Sequence, residues 1–202
     1  MSGREQQKQR TRQALIDAYL AMLRDGGDSP TVAQVAERAG ISVATAYRYF
    51  PNPKSLRSDA SVSATRDFPG FAEVLADAGD DPLVRIELVI RTTARLQFGD
   101  EPVWRGALQA TLERWFTQWD SGGEMVPVRS TARRDGVRLA LRPLEDELGE
   151  AEFTRLANAV ILVCGLEALV ATRDVALLEP EEATETMVWA AQSLVQSARA
   201  GN

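Results

Sequence analysis

The sequence contains no histidine, which removes the side chain most often used as a general base and as a zinc ligand. Its one cysteine, Cys164, cannot form a disulfide within the chain and is typical of a reducing compartment. We therefore predict a cytoplasmic protein that is not an enzyme, with no catalytic residue, metal or cofactor. No paired-acid motif supports the remaining alternative, an enzyme that uses only carboxylates.

Long apolar runs are also lacking. The most apolar stretch, LANAVILVCGLEALV from Leu156 to Val170, is too short to span a bilayer and contains Asn158 and Glu167. The first ten residues, MSGREQQKQR, are polar and charged where a signal peptide would become apolar. We therefore expect no membrane association and interpret the apolar stretch as a buried helix.

No segment shows the sustained alternation of apolar and polar residues that a half-buried strand requires. Apolar residues instead recur with helical spacing, between breaks that contain glycine or proline. The pattern predicts an all-α chain of about nine helices, in which an N-terminal helix-turn-helix module precedes a helical bundle. Pro143 should kink or shorten one helix. We predict helices at 4–24, 32–39, 43–50, from about 54, and at 83–98, 102–119, 130–148, 150–173 and 180–199.

Charge is distributed unevenly along the chain, whose formal net charge is −6. Residues 1–57 carry nine Lys or Arg against five Asp or Glu, whereas residues 58–202 carry fourteen against twenty-four. A basic N-terminal module on an acidic remainder indicates that only one end of the chain meets nucleic-acid phosphate.

The stretch TVAQVAERAGISVATAYRYF, from Thr31 to Phe50, contains two short helical patterns joined at one glycine. Thr31 and Gln34 match a capping box at the start of the first pattern. Gly40 can adopt the left-handed conformation that ends a helix, and Ser42 can cap the next one. The length and spacing predict a helix-turn-helix, whose second helix lies in the major groove of DNA.

The second of these helices should have one inward and one outward face. We expect Ala46 and Phe50 to face inward, with Ile41 at the turn, and to pack on Val35 and Leu15. The outward face consists of small or polar residues that suit DNA: Ser42, Val43, Ala44, Thr45, Tyr47 and Arg48. The further candidates for phosphate contacts are Tyr49, Lys54, Lys8, Arg10 and Arg12. A helical corner whose tyrosines only pack is the alternative, but the local charge favours DNA binding.

The segment TVAQVAERAGISVATAYRYFPNPKSL resembles the DNA-binding segment of the tetracycline-repressor (TetR) family of transcriptional regulators. The resemblance covers residues 10–57 closely and implies a helix-turn-helix DNA-binding domain at 1–57, followed by an effector-binding and dimerisation domain at 58–202. It implies DNA contacts by Thr31, Ser42, Thr45, Tyr47 and Tyr49. The family's usual lysine at the start of helix four falls on Pro53, and Lys54 comes one place later, so that contact is left open.

A later helix carries an aromatic-rich face whose residues are spaced by three or four positions: Trp104, Leu108, Leu112, Trp115 and Trp119. The resemblance implies an effector pocket in the bundle, where this face would bind an unidentified apolar or aromatic small molecule. The weaker candidates for the same pocket are Phe98, Cys164 and Met125. The alternative is that these residues belong to an ordinary core.

The last two helices have broad apolar faces, at Leu156, Val160, Val163, Leu166 and Val170, and then at Met187, Ala191, Leu194 and Ala198. The resemblance implies that these helices pair in a homodimer, which would place two recognition helices about 34 Å apart on a palindromic double-stranded operator. We therefore predict a homodimeric, ligand-responsive transcriptional regulator, a repressor released by its effector. The alternative is a helical small-molecule-binding protein without functional DNA binding.

Overall fold

Helices form the regular secondary structure in the part of the chain that the computed structural model describes, residues 3–26, 30–63, 70–124 and 126–201. No strand occurs among these residues, which confirms the all-α prediction. In chain order the α-helices are α1 (Gly3–Arg24), α2 (Val32–Arg38), α3 (Val43–Tyr49), α4 (Pro53–Ser63), α5 (Phe71–Val74), α6 (Pro82–Gly99), α7 (Glu101–Ser121), α8 (Ala132–Leu141), α9 (Glu145–Leu162), α10 (Leu166–Val170) and α11 (Pro180–Ala200). Two of them, α5 and α10, are about one turn long, which explains the excess over the nine helices predicted.

The helices pack into two compact units. The first unit contains α1 to α4 together with α7, and the second contains α5, α6 and α8 to α11. The sequence assigned α7 to the effector-binding and dimerisation domain at 58–202, whereas in the structure this helix packs on α1 and α4. The functional boundary at residue 57 stays a prediction.

The core of the first unit joins α1, α2 and α3. Leu15 and Tyr19 of α1 lie in it beside Val35 of α2, and α3 contributes Ala46, with Phe50 directly after the helix. Each of these five side chains is at most 1% exposed. The inward face predicted for α3 is therefore confirmed, and burial of side chains of this kind stabilises the unit by about 1.5–3 kcal/mol for each large one.

Two polar contacts join α4 to α7 within the first unit. The buried Arg57 forms an ion pair with Glu113, and Lys54 donates a hydrogen bond to the hydroxyl of Thr117. Burial alone would lower the pKa of Arg57, but the hydrogen bond and the charge of Glu113 more than offset it, and the pKa is raised. The guanidinium is therefore charged, and it ties α4 to α7.

The core of the second unit is built from α6, α8, α9 and α11. Ile86 and Ile90 of α6, Leu141 of α8, Phe153 of α9 and Ala191 of α11 are each at most 1% exposed. Across the described residues, no single helix is both long and apolar enough to cross a membrane, and only one bent pair of helical segments reaches that length and composition jointly.

The helix predicted at 130–148 is interrupted in the structure. α8 ends at Leu141, and a 3₁₀ turn from Arg142 to Leu144 contains Pro143. Proline has no N–H to donate to the preceding turn, so the predicted shortening is confirmed.

The helix predicted at 150–173 is interrupted as well, at a position that the sequence pattern did not reveal. α9 ends at Leu162, and α10 begins after Gly165, whose φ is +89°. An L side chain at Gly165 would be strained at this φ, and its Cβ would also displace the guanidinium of Arg133. The backbone conformation at Gly165 therefore accounts for the break.

The capping box at the start of α2 provides a test of the fold. The N–H of Gln34 donates to the Thr31 hydroxyl at 3.3 Å, and the N–H of Thr31 donates to Oε1 of Gln34 at 2.9 Å. We expect Thr31→Ala to lower the free energy of unfolding by about 1 kcal/mol in urea denaturation, because a backbone donor loses its partner. Thr31→Ser keeps the hydroxyl and should stay close to wild type. An alanine variant as stable as the wild type would contradict this role.

Candidate DNA-binding surface

The turn between α2 and α3 is closed by backbone hydrogen bonds around Gly40. The N–H of Gly40 donates to the carbonyl oxygen of Glu37 at 3.1 Å, and the N–H of Ile41 donates to that of Ala36 at 2.9 Å. Gly40 has a φ of +65°, in the left-handed region that glycine adopts without strain. These bonds set the direction in which the chain enters α3.

Two predicted DNA contacts, Ser42 and Thr31, also cap helices. The N–H of Thr45 donates to Oγ of Ser42 at 3.3 Å, and the Ser42 hydroxyl donates to Oγ1 of Thr45 at 2.8 Å. At the start of α2, the exposed Thr31 hydroxyl donates to Oε1 of Gln34 at 2.8 Å. The proton of the Thr45 hydroxyl can still be donated to an external acceptor, since this oxygen acts only as an acceptor towards Ser42.

The face of α3 opposite the core is accessible. Val43 and Tyr47 are 45% and 44% exposed, and Ala44 and Arg48 are exposed too. Tyr49 is half-buried and packs against the core of the first unit. The structure thus places the predicted contact residues of α3 on one surface, with Tyr49 at the edge of the core.

Ion pairing divides the basic residues of the first unit into two groups. One group is paired within the unit: Arg12 with Asp59, Arg24 with Asp100, Arg38 with Asp25, Arg57 with Glu113 and Arg105 with Glu101. The other group has no ion-pair partner among the residues that the structure describes, and its members on α1 and α3 are Arg4, Lys8, Arg10 and Arg48. The charge of these four residues is available to an external anion such as phosphate.

Lys54 has a partner within the protein. Its ammonium donates to Oγ1 of Thr117, and the Thr117 hydroxyl in turn donates to the carbonyl oxygen of Glu113 at 2.7 Å. A phosphate contact by Lys54 would have to replace the bond to Thr117, so this contact stays a prediction. Pro53 begins α4, where the missing N–H of proline is tolerated.

Four of the predicted effector contacts lie on α7, in the first unit. Trp104 and Leu108 are half-buried, whereas Trp115 and Trp119 are exposed, with their rings stacked at a centroid distance of 5.3 Å and an angle of 14°. Phe116, which the spacing of three and four did not reveal, meets Trp115 edge to face at 5.1 Å. We name Trp115, Phe116 and Trp119 the aromatic patch of α7.

The other two predicted effector contacts, Phe98 and Cys164, lie in the second unit. Phe98 is half-buried on α6 and lines a groove of about 390 Å³ between α6 and α11. Cys164 is buried between α9 and α10, and Met125 lies outside the described residues. Because the six predicted positions are divided between the two units, their joint role as an effector site stays a prediction.

Cys164 lies beside a cluster of charges. Arg133 donates to the carbonyl oxygen of Cys164 at 2.9 Å and to the carboxylate of Glu167 at 2.5 Å, and Arg129 also pairs with Glu167. The polar Glu167 of the apolar stretch therefore has two cationic partners. Burial raises the pKa of the Cys164 thiol to about 11, with Arg133 lowering it by a smaller amount. The thiol is therefore neutral at physiological pH.

The sequence of the first unit is similar to that of known DNA-binding regulators. Residues 15–58 match the family model described as bacterial regulatory proteins, tetR family. Over 149 residues the chain is 30% identical to the HTH-type transcriptional repressor KstR of Rhodococcus jostii (strain RHA1), an alignment that covers 72% of this chain and 67% of that protein.

Two further similarities concern a shorter segment and the fold. The chain is 34% identical over 89 residues to KstR of Mycolicibacterium smegmatis (strain ATCC 700084 / mc(2)155), an alignment that covers 44% of this chain and 43% of that relative. The crystal structure of a TetR transcriptional regulator from Rhodococcus sp. RHA1 covers 93% of this chain, and the chain covers 97% of it, with a TM-score of 0.56 and 17% identity. This last similarity shows a shared fold.

The raised pKa of Cys164 can be tested by its reactivity. A thiol with a pKa of about 11 is roughly 0.1% ionised at pH 8, compared with about a quarter for an ordinary cysteine, and only the thiolate attacks disulfide reagents. We expect the folded protein to react slowly with Ellman's reagent at pH 8 and completely after unfolding in guanidinium. One equivalent of rapid reaction in the folded protein would contradict the burial of this thiol.

Proposed function

The chain belongs to the TetR family of bacterial transcriptional regulators, and on this premise we propose that it is a homodimeric repressor. In this proposal the dimer binds a palindromic operator, and a small-molecule effector releases it. The regulator acts in the cytoplasm, where the operator is. The relatives named as repressors support the direction of regulation.

The exposed face of α3 beside unpaired cations is the observation that carries the proposal. Burial of Ala46 presents Val43, Ala44 and Tyr47 outward, on a helix that the major groove can admit. Small apolar side chains there suit thymine methyl groups, and Tyr47 offers a hydroxyl to a phosphate oxygen. The alternative, a small-molecule-binding protein without DNA binding, does not account for a surface that combines these side chains with an exposed arginine, Arg48.

The outer surfaces of α9 and α11 support dimerisation. Most of the apolar residues that the sequence pattern noted on these helices are buried in the core of the second unit itself, among them Val160 and Ala191. Two apolar residues that the sequence pattern did not note, Leu162 and Trp189, are instead 77% and 70% exposed. Tryptophan is enriched among the residues that contribute most to interface stability, so we place Trp189 in the dimer interface.

The aromatic patch of α7 supports an apolar or aromatic effector. Phe116 and Trp119 are 57% and 64% exposed, and the flat face of a stacked tryptophan can pack on a planar ligand. An effector acts if it binds one conformation of the dimer more tightly than another, because only this difference shifts the population away from the operator-binding state.

Selection from a randomised duplex library tests the proposal. The wild-type protein should enrich a sequence with two inverted half-sites about one helical turn apart, and its affinity should fall steeply with salt. Apolar and aromatic compounds are then screened for release of the selected duplex. If no sequence is enriched and binding does not depend on salt, the proposed function is wrong.

Tyr47→Phe tests the phosphate contact on α3. Loss of one hydrogen bond per protomer, worth about 1 kcal/mol each, should weaken binding of the selected duplex roughly 30-fold in the dimer. Fluorescence anisotropy measures the affinity, and an unchanged unfolding midpoint serves as the control. Wild-type affinity would remove Tyr47 from the contact residues.

Trp189→Glu tests the dimer interface. A carboxylate at this position should convert the dimer to a monomer, because a charge buried at the centre of an interface has no partner. Analytical ultracentrifugation measures the mass, and Phe116→Glu, which changes an exposed aromatic residue of the first unit, should remain dimeric. A Trp189→Glu protein with the mass of a dimer would place the interface elsewhere.

A further inference from the structure

The first eight residues of α1, Gly3 to Arg10, are exposed and contribute no side chain to the core of the first unit. α1 is 22 residues long, but its buried side chains begin only at Leu15. The twelve residues before Leu15 extend over about 18 Å of helix and are polar or charged apart from Gly3 and Ala14. A helical segment that buries no apolar face gains little from the protein's own core. The exposed polar side chains of its first two turns are therefore available to an external partner.

A groove runs between this segment and α3. It has a volume of about 590 Å³, and we name it the α1–α3 groove. It is lined by Arg4, Glu5, Gln7, Lys8, Arg48 and Tyr49. Both of its walls belong to the first unit.

The α1–α3 groove has an excess of positive charge. Three cations line it against the single carboxylate of Glu5, which leaves an excess of two charges. Arg4 and Lys8 are four residues apart on one helix face, a spacing at which like charges repel. Neither has an ion-pair partner among the described residues, although five other arginines of the same unit do. The arrangement is therefore suited to an anion from outside the chain.

The position of the groove identifies the anion. Arg48 and Tyr49 end α3, so the groove continues directly from the face that the proposed function places in the major groove. The anions that flank a major groove are backbone phosphates, which occur at regular intervals along the duplex. An arginine and a lysine one helical turn apart can each bind a phosphate oxygen.

We propose that Arg4 and Lys8, together with Arg48, bind the DNA backbone beside the major groove that α3 occupies. This inference rests on the proposed function and extends the DNA-binding surface from α3 to the first two turns of α1. Phosphate contacts carry no sequence information, so Arg4 and Lys8 contribute affinity and orientation but not base preference.

The experiment compares wild type with the double variant Arg4→Gln/Lys8→Gln on the duplex that the wild-type protein selects from the randomised library. Glutamine retains helix propensity, so α1 should stay helical, as circular dichroism will show. Each lost phosphate contact should flatten the plot of log affinity against log salt by about 0.9, which gives roughly 3 to 4 for four contacts in the dimer. The ratio of affinities for selected and random duplexes should not change.

Two control variants and one further measurement accompany this comparison. Arg95→Gln/Arg142→Gln removes the same charge from the second unit and should leave the slope near that of wild type. Arg4→Lys/Lys8→Arg keeps the charge and should also keep the slope. Ethylation of the outer phosphates should weaken DNA binding by the wild type but not by the Arg4→Gln/Lys8→Gln variant.

Two outcomes would overturn the inference. One is a wild-type slope for Arg4→Gln/Lys8→Gln, and the other is an unchanged set of interfering phosphates. In either case a wild-type protein that still selects a duplex would leave the proposed function intact, whereas a wild type that selects none would contradict the proposed function itself.

Discussion

Helix α3 depends on the burial of Ala46 and Phe50, because seven residues form too short a helix to be stable in water alone. The same burial fixes which side chains point outward. Ala46 and Phe50 are four residues apart and share the inner face, which turns Ala44, Tyr47 and Arg48 away from the core, and Val43 at the start of the helix is exposed as well. The cap at Ser42 and the turn at Gly40 then fix only the start of a helix whose rotation the core determines. The proposed recognition of DNA therefore depends on apolar packing that is not itself part of the DNA-binding surface.

Local and distant interactions differ in how far the sequence could reveal them. The caps at Thr31 and Ser42 and the turn at Gly40 were predictable because each partner lies within five residues, where spacing alone determines contact. The bond of Lys54 to Thr117 joins residues 63 positions apart, and no periodic pattern encodes it. The packing of α7 with the first unit escaped prediction for the same reason. Periodicity also showed that α9 and α11 are apolar, but Trp189 could be assigned to the outer side only once their neighbours were known.

The charges of the first unit also show how an acidic chain can present a basic surface. Pairing of Arg12, Arg24, Arg38 and Arg57 with carboxylates neutralises much of the unit internally. What remains on α1 and α3 is a small set of unpaired cations that outnumber the nearby carboxylate of Glu5. The pair of Arg57 with Glu113 also connects helices, because it is buried and holds α4 to α7. Only three residues separate α3 from α4. A displacement of α7 must either break this pair or move α4 with it.

Gly165 links the evolution of three positions in the second unit. A side chain there would meet both a backbone strained at a φ of +89° and the guanidinium of Arg133. A smaller residue at 133 would remove the collision but leave the strain, and it would also leave Glu167 with Arg129 as its remaining cationic partner among those described. A change at any one of the three sites thus alters the energetic cost of changes at the other two. Divergence within this part of the chain should follow an epistatic path, in which Gly165, Arg133 and Glu167 are retained or replaced together.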